Sequence, residues 1–278
     1  MPTRPDIAAQ QAASSAKRHP LETLGRVGYG VKGAVYALLG GLALQAAFSG
    51  GDPEGSRGAL ATLADTSFGT VLLTLVAIGL AAYALWRVAL AVLDPENEGD
   101  DGKGLARRAF YLISAASYGA LAYAAFKLSR GTGGEGGGGT QDRTADLLSQ
   151  PFGRWLVGLV ALAVLAYGAY QFVRAYKSSF MEKFDLEGEA ARHREFLRHA
   201  GQAGLAARGV VYLIVGGFLG LAALRYDASE ARGLDGALST LQQQPFGPVL
   251  LGVVALGLLG YAVYCVANAW YRRFEGRQ

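Results

Sequence analysis

Three basic residues each stand four positions before a tyrosine: Lys32 before Tyr36, Arg107 before Tyr111 and Arg208 before Tyr212. A second set of tyrosines, Tyr83, Tyr167 and Tyr261, follows Phe68, Phe152 and Phe246 by fifteen residues, and each is followed three residues on by Trp86, Tyr170 or Tyr264. Four residues make about one helical turn, so each cation shares a helix face with its tyrosine. Ammonium, guanidinium and phenol groups can together hold an anionic ligand or a lipid headgroup. Hence Lys32, Arg107 and Arg208 form a candidate lipid or ligand ring, and Tyr36, Tyr83, Tyr111, Tyr167, Tyr212 and Tyr261 a candidate tyrosine collar. The bland reading of the same residues is interfacial anchoring, with basic side chains snorkelling to phosphates and tyrosines bridging helices.

Other chemistry finds few residues to work with. One cysteine, Cys265, allows no disulfide framework and no cluster for zinc or iron and sulfur. His19, His193 and His199 lie in polar stretches and the methionines are Met1 and Met181, so no pair of buried haem ligands is in sight. The acids of 94–102 alternate like the start of a calcium loop, but Leu105 stands where the bidentate glutamate is needed. No cofactor, metal or catalytic residue is expected, and with no Ser-His-Asp arrangement or phosphate loop the chain does not read as an enzyme.

The elements that must carry these residues are long and apolar. Of 278 residues 51% are hydrophobic and 17% charged, and six apolar runs cover roughly 33–48, 70–93, 108–128, 155–176, 209–224 and 248–271. At about 1.5 Å per residue each can cross or nearly cross a hydrocarbon core of about 30 Å. A run such as Val249 to Gly260 has no polar stripe, which a soluble bundle would require. The formal charge of +4 could suggest nucleic acid, but the cations flank apolar runs, so membrane lipid, and other membrane subunits, are the expected partners. With both termini cytoplasmic, the arm carries five Lys and Arg, the second connection four, the fourth seven and the tail three. That puts 19 of the 26 inside, a strong positive-inside bias. Trp86 and Trp270 are expected at the inner interface, Trp155 at the outer one. Arg87 and Arg174, near the cytoplasmic ends of their spans, are expected to snorkel.

Taken in pairs, the spans repeat. The odd ones open on the basic residue and tyrosine, and the even ones on Ser67-Phe68-Gly69, Gln150-Pro151-Phe152-Gly153 and Gln244-Pro245-Phe246-Gly247. The predicted fold is an all-α integral membrane protein: six transmembrane helices as three tandem parallel hairpin repeats with pseudo-threefold symmetry. Its divisions are a disordered cytoplasmic arm (1–23), hairpin repeat 1 (24–94), hairpin repeat 2 (95–176), an interfacial linker (177–199), hairpin repeat 3 (200–274) and a tail (275–278). Small residues at four-residue spacing, Gly33-Ala37-Gly41, Ala116-Ala120-Ala124 and Gly216-Gly220, are candidate helix seams. Gly131 to Gly139 reads as a flexible outer linker, and the stretch around Phe180, Phe184 and Arg192 as an amphipathic interfacial helix. The run from Gly204 to Tyr212 and the Pro245-Phe246-Gly247 start resemble the bacterial membrane proteins built from repeats of domain of unknown function 1206. The resemblance is closest in the third repeat and implies an inner-membrane protein of three hairpins, with no activity attached.

Two functions are compatible with these residues. A non-enzymatic accessory, scaffold or assembly protein, binding other membrane proteins or lipid, needs only surfaces. That suits spans without a single Asp or Glu to relay protons or bind a coupling cation. The alternative is a passive channel or facilitator for a small neutral solute or anion along the pseudo-threefold axis, with Gln45, Ser114, Ser117 and Gln171 converging on the path.

Overall fold

The computed structural model describes residues 4–132, 139–186 and 188–272. The chain is almost wholly helical: α1 (Arg4–Ser49), α2 (Ser56–Ala64), α3 (Gly69–Leu93), α4 (Gly102–Ser129), α5 (Thr140–Leu148), α6 (Gly153–Lys177), α7 (Arg194–Arg225), α8 (Leu234–Gln242) and α9 (Gly247–Tyr271). Helices α1, α3, α4, α6, α7 and α9 are the six spans, each long and apolar enough to cross a membrane. They form three tandem two-helix repeats. The arm expected to be disordered is helical from Arg4 onward, since Pro5 falls in the first turn, where a missing N–H costs nothing, and Ala and Gln dominate the next two turns. Most of the expected glycine linker, 133–138, and the tail from 275 lie outside the described residues.

Each repeat holds one element that hydropathy did not reveal. A nine-residue helix, α2, α5 or α8, lies across the end of the bundle away from the termini and stops four residues before Phe68, Phe152 or Phe246. Its apolar side chains seal that end: Leu60 packs with Leu73 and Ala125, Leu148 with Val157 and Ala223, and Leu238 with Ala47 and Leu251. Each even span then starts on a glycine. A Cβ at Gly69, Gly153 or Gly247 would run into carbonyls at the end of the short helix, so the corner admits no larger residue. The three phenylalanines of these corners point outward, 74%, 80% and 83% exposed, where they can enter a lipid leaflet.

Packing between repeats is regular. Each even span lies along an odd span of another repeat: α3 on α4, α6 on α7, and α9 on α1. Packing within hairpins is not. Helix α1 lies on α3 and α7 on α9, but α4 and α6 do not pack along each other. The order α4-α3-α1-α9-α7-α6 is therefore an arc whose ends are the two helices of repeat 2, where a threefold ring would have closed.

The cause is local. Gly28 meets the backbone of Tyr83, with an added Cβ 2.6 Å from its Cα, and Gly204 meets Tyr261 in the same way. Both glycines stand eight residues before the repeat tyrosine, and in repeat 2 that position is Lys103. A second close approach, Gly79 to Val31 and Gly257 to Ala207, has Ala163 as its counterpart. Repeat 2 lacks both contacts that let helices in lipid pack through their backbones. Helices α4 and α6 accordingly bury 17% and 22% of their most apolar windows, against 44–50% for the other four. The expected four-residue seams hold only at Gly33, against α9, and Gly216, against Leu165. Gly41 and Gly220 face open space, and Ala115, Ala122 and Ala125 are buried on α4 in place of Ala116, Ala120 and Ala124.

The linker after α6 also differs from its expectation. It forms two 3₁₀ turns, Ser179–Lys183 and Gly188–His193, rather than an interfacial amphipathic helix. Phe180 and Phe184 turn inward onto the Tyr264 ring, at 5.3 and 6.0 Å between centroids. Asp185 donates its N–H to the Tyr271 carbonyl at 2.7 Å, and Arg26 donates to the carbonyls of Ala269 and Trp270, so the end of α9 is held from both sides.

Candidate functional site

The repeat tyrosines converge inside the half of the bundle nearer the termini. The backbone approach of α1 to α3 at Gly28 sets Tyr29, Lys32 and Tyr83 against one another. Lys32 is 2% exposed; it donates to the Tyr83 hydroxyl at 3.0 Å, and its Nζ lies 4.6 Å from the Tyr83 and Tyr118 ring centroids and 5.3 Å from that of Tyr261. Arg208 stands on the same Tyr261 ring, at 4.3 Å, and donates to the Tyr212 hydroxyl at 2.5 Å. Tyr36 meets Tyr261 edge-on at 4.7 Å and Tyr167 meets Tyr212 at 5.0 Å. Tyr111 joins through Arg87, whose guanidinium lies 5.2 Å from its ring. All six collar tyrosines are thus drawn into one cluster, facing inward.

The basic set is divided. Lys32 and Arg208 are buried, whereas Arg107 remains 58% exposed at the unclosed hairpin and pairs with Glu98. Two further cations take part. Arg87 donates to the Tyr83 hydroxyl from Nε at 2.9 Å and Nη2 at 2.5 Å, and Arg174 reaches the Tyr264 hydroxyl at 3.4 Å. Both turn inward rather than snorkel. Trp86 does the same, 2% exposed between Tyr29 and Arg87, while Trp155 and Trp270 stay on the outside. Tyr29, Tyr118, Tyr264, Trp86, Arg87 and Arg174 were not among the sequence candidates. One signal did exist, because Arg87 and Gln171 stand at the same repeat position, four residues after Tyr83 and Tyr167.

The electrostatics of this cluster are one-sided. Lys32 and Arg87 meet at a single phenol oxygen, and two unit charges about 6 Å apart repel by roughly 3 kcal/mol at an effective dielectric of about 20. The Tyr167 phenol lies within electrostatic reach of Arg208, Lys32, Arg87 and Arg174 together. Among the described residues none of these four cations pairs with a carboxylate. Neutral rings offer cation–π attraction of about 1–2 kcal/mol each, which stabilises a desolvated cation without discharging it. Two polar groups are also left over. Among the described residues, the Arg208 Nε and both amide atoms of Gln171, a residue with no exposed surface, are buried without a hydrogen-bond partner. Gln171 sits one turn from both Tyr167 and Arg174 on α6. An unpartnered buried amide costs roughly 1–3 kcal/mol. Gln171→Leu should therefore raise the stability of the ligand-free protein by about 1–2 kcal/mol, read as a higher melting temperature in neutral detergent; an unchanged or lower value would mean that the amide has a structural partner.

Toward the termini, the cluster is covered by a charged latch. Glu96, in the loop after α3, pairs with Arg272 and, at 2.5 Å, with Lys183, and Arg272 also donates to the Tyr29 hydroxyl at 3.0 Å and to Asn268 Oδ1 at 3.1 Å. Burial alone would raise the Glu96 carboxyl, but Arg272 and Lys183 overcome this and hold it down at about 2. The remaining acids of 94–102 are engaged as well. Asp94 accepts from the N–H groups of Glu98 and Gly99, Glu98 binds Arg107 and accepts from Tyr111, and Asp100 binds Arg108. They act as a brace for the repeat 2 entry.

Comparison with known sequences gives the same threefold division. A family model described as Domain of Unknown Function (DUF1206) matches three times in tandem, at 27–94, 109–178 and 203–272. The chain belongs to the DUF1206 family. It is similar to the "Uncharacterized protein YxxB" of Bacillus subtilis (strain 168), with 37% identity over 254 residues that cover 91% of each chain. No solved structure gives a significant match. The middle match begins at 109, past Lys103, so the stretch that keeps hairpin 2 open is also where this repeat departs from the family pattern.

Proposed function

We propose that this DUF1206 protein is a non-enzymatic binding protein of the bacterial inner membrane, with both termini cytoplasmic, whose interior holds an anionic ligand. The observation that carries this reading is the cluster of Lys32, Arg87, Arg174 and Arg208, four inward-facing cations without a paired carboxylate among the described residues, beside the unpartnered Gln171 amide. A phosphate or carboxylate group there would gain charge-assisted hydrogen bonds and relieve the repulsion among the cations. The 19-to-7 division of Lys and Arg supports the orientation. An accessory role toward other membrane proteins is consistent with the same arrangement, because the unpaired flanks of α4 and α6 are left for a neighbour. Conduction along an axis has less support. Gln45 and Ser117 lie on the outside, Gln171 is buried, and the half of the bundle away from the termini is filled by Leu39, Ala43, Leu251, Ala255 and Leu258.

The test is ligand-dependent stabilisation. A ligand at about 100 times its Kd adds about 2.7 kcal/mol, so phosphatidylglycerol, or inorganic phosphate against chloride, should raise the melting temperature of the purified full-length protein. Arg208→Gln should weaken that effect at least tenfold, while Arg107→Gln leaves it within about twofold. Gln171→Leu should lose ligand response while melting higher without ligand, a combination that a structural role would not produce. Equal stabilisation by phosphatidylglycerol and phosphatidylcholine, with no response to phosphate, would sink the reading.

A further inference from the structure

The site's walls say where its ligand comes from. Away from the termini the bundle is closed by an apolar core of Leu39, Ala43, Leu251, Ala255 and Leu258, with Leu238 of α8 packed into it. Toward the termini the Glu96, Arg272 and Lys183 latch and the inward rings of Phe180 and Phe184 cover it. Sideways, five pairs of neighbouring spans are packed along their lengths and the sixth, α4 with α6, is not. Across that gap Phe110 stacks on Tyr167 at 5.7 Å, Tyr167 meets Tyr212 at 5.0 Å, and Tyr212 accepts from the buried Arg208. A line of rings thus leads from the lipid-facing wall to the guanidinium. Lys103 and Arg107 stand at the mouth, and Arg107 lies within electrostatic reach of the half-exposed Tyr170. Below them the gap is flanked by helices that present Leu112, Ile113, Leu159 and Leu162 outward.

We propose that the ligand is an anionic lipid that enters sideways between α4 and α6: its headgroup passes the Phe110–Tyr167 stack into the cluster and its acyl chains stay along the gap. This rests on the reading of the cluster as an anion site, and it accounts for what that reading leaves open, namely why one hairpin of three is unclosed. A free anion would need a hydrated path, whereas the only unpacked wall among the described residues opens onto hydrocarbon. A neutral lipid would leave the four cations as they are. The cations select the headgroup and the gap selects a ligand with chains.

The experiment uses the full-length protein with Cys265→Ser, Ser114→Cys and Ala163→Cys, the last two one turn from Phe110 on α4 and from Tyr167 on α6, joined by a short bifunctional thiol reagent, in phosphatidylcholine discs doped with phosphatidylglycerol. Native mass spectrometry counts retained lipid. The unlinked protein should retain one phosphatidylglycerol. Linking before exposure should reduce uptake at least tenfold, and linking after loading should trap the lipid against extraction by excess phosphatidylcholine. A control pair placed on the outer faces of the packed helices α1 and α9 should change neither. Uptake that is the same with and without the 114–163 link overturns the sideways route. If Arg208→Gln nonetheless abolishes that uptake, the anion site stands and only the route fails. Retention of phosphatidylcholine and phosphatidylglycerol alike overturns both. Stabilisation by inorganic phosphate without any retained phosphatidylglycerol overturns the lipid and leaves a free anion as the ligand.

Discussion

Gly204→Leu should cost roughly 3 kcal/mol or more and loosen the third hairpin, because the new side chain would have to occupy the backbone of Tyr261. A flexible neighbour could rotate away; a helix backbone cannot, so α7 and α9 must separate and take Arg208 away from the Tyr261 ring. Gly28→Leu should act alike on α1 and α3, through the backbone of Tyr83. The reverse change tests the explanation. Lys103 is exposed, and Lys103→Gly should cost no more than about 1 kcal/mol, the helix propensity difference. Unfolding of reconstituted protein by denaturing detergent, followed by tryptophan fluorescence, measures all three. A Gly204→Leu protein as stable as the parent would remove the stated reason for the open second hairpin.

Glu96→Gln should be comparably severe, at roughly 3–5 kcal/mol, since it removes the carboxylate paired with the buried Arg272 and shared with the half-exposed Lys183. The sign of the accompanying pH dependence is set by the depressed carboxyl. Glu96 titrates at about 2 in the folded protein against an ordinary 4.5, so its contribution is complete above pH 4.5 and is lost as the pH falls toward 2. That difference corresponds to roughly 3 kcal/mol, in line with the substitution. Lys183 itself is held below the usual lysine range by burial and by the like charge of Arg272, so the carboxylate serves Arg272 foremost, and Lys183→Met should be the milder change. Melting temperatures between pH 6 and pH 3 check this. The parent should lose stability over that interval and Glu96→Gln should lose little of it; parallel curves for the two would show that the latch contributes nothing.

The sequence by itself determined the six spans, their threefold repetition, the family and the register of the repeat tyrosines. Each rests on a property that neighbours along the chain share: uninterrupted apolarity over a bilayer's thickness, or a residue type recurring at a fixed interval. Two of the three corner helices had a signal of this kind, in Gly58-Ala59-Leu60 and Gly236-Ala237-Leu238 ahead of their Phe-Gly starts, where the second repeat has Asp142-Arg143-Thr144, but nine residues fall short of any span and are masked by the apolar runs beside them. The arm had the opposite difficulty, because polar Ala-Gln-rich sequence carries helix propensity without an apolar stripe to reveal it. Only the tertiary structure decided which way the functional side chains face. A helix that is apolar all round has no preferred side, so nothing along α3 says that Trp86 and Arg87 turn inward rather than to a headgroup, or that Arg107 turns away while Lys32 and Arg208 are enclosed. That rotation is set by where two backbones can touch, at Gly28 and Gly204, and by Lys103, where they cannot. The difference between repeat 2 and the other two lies at two positions, Lys103 and Ala163, where the others have glycine, and its consequence exists only once the helices are packed.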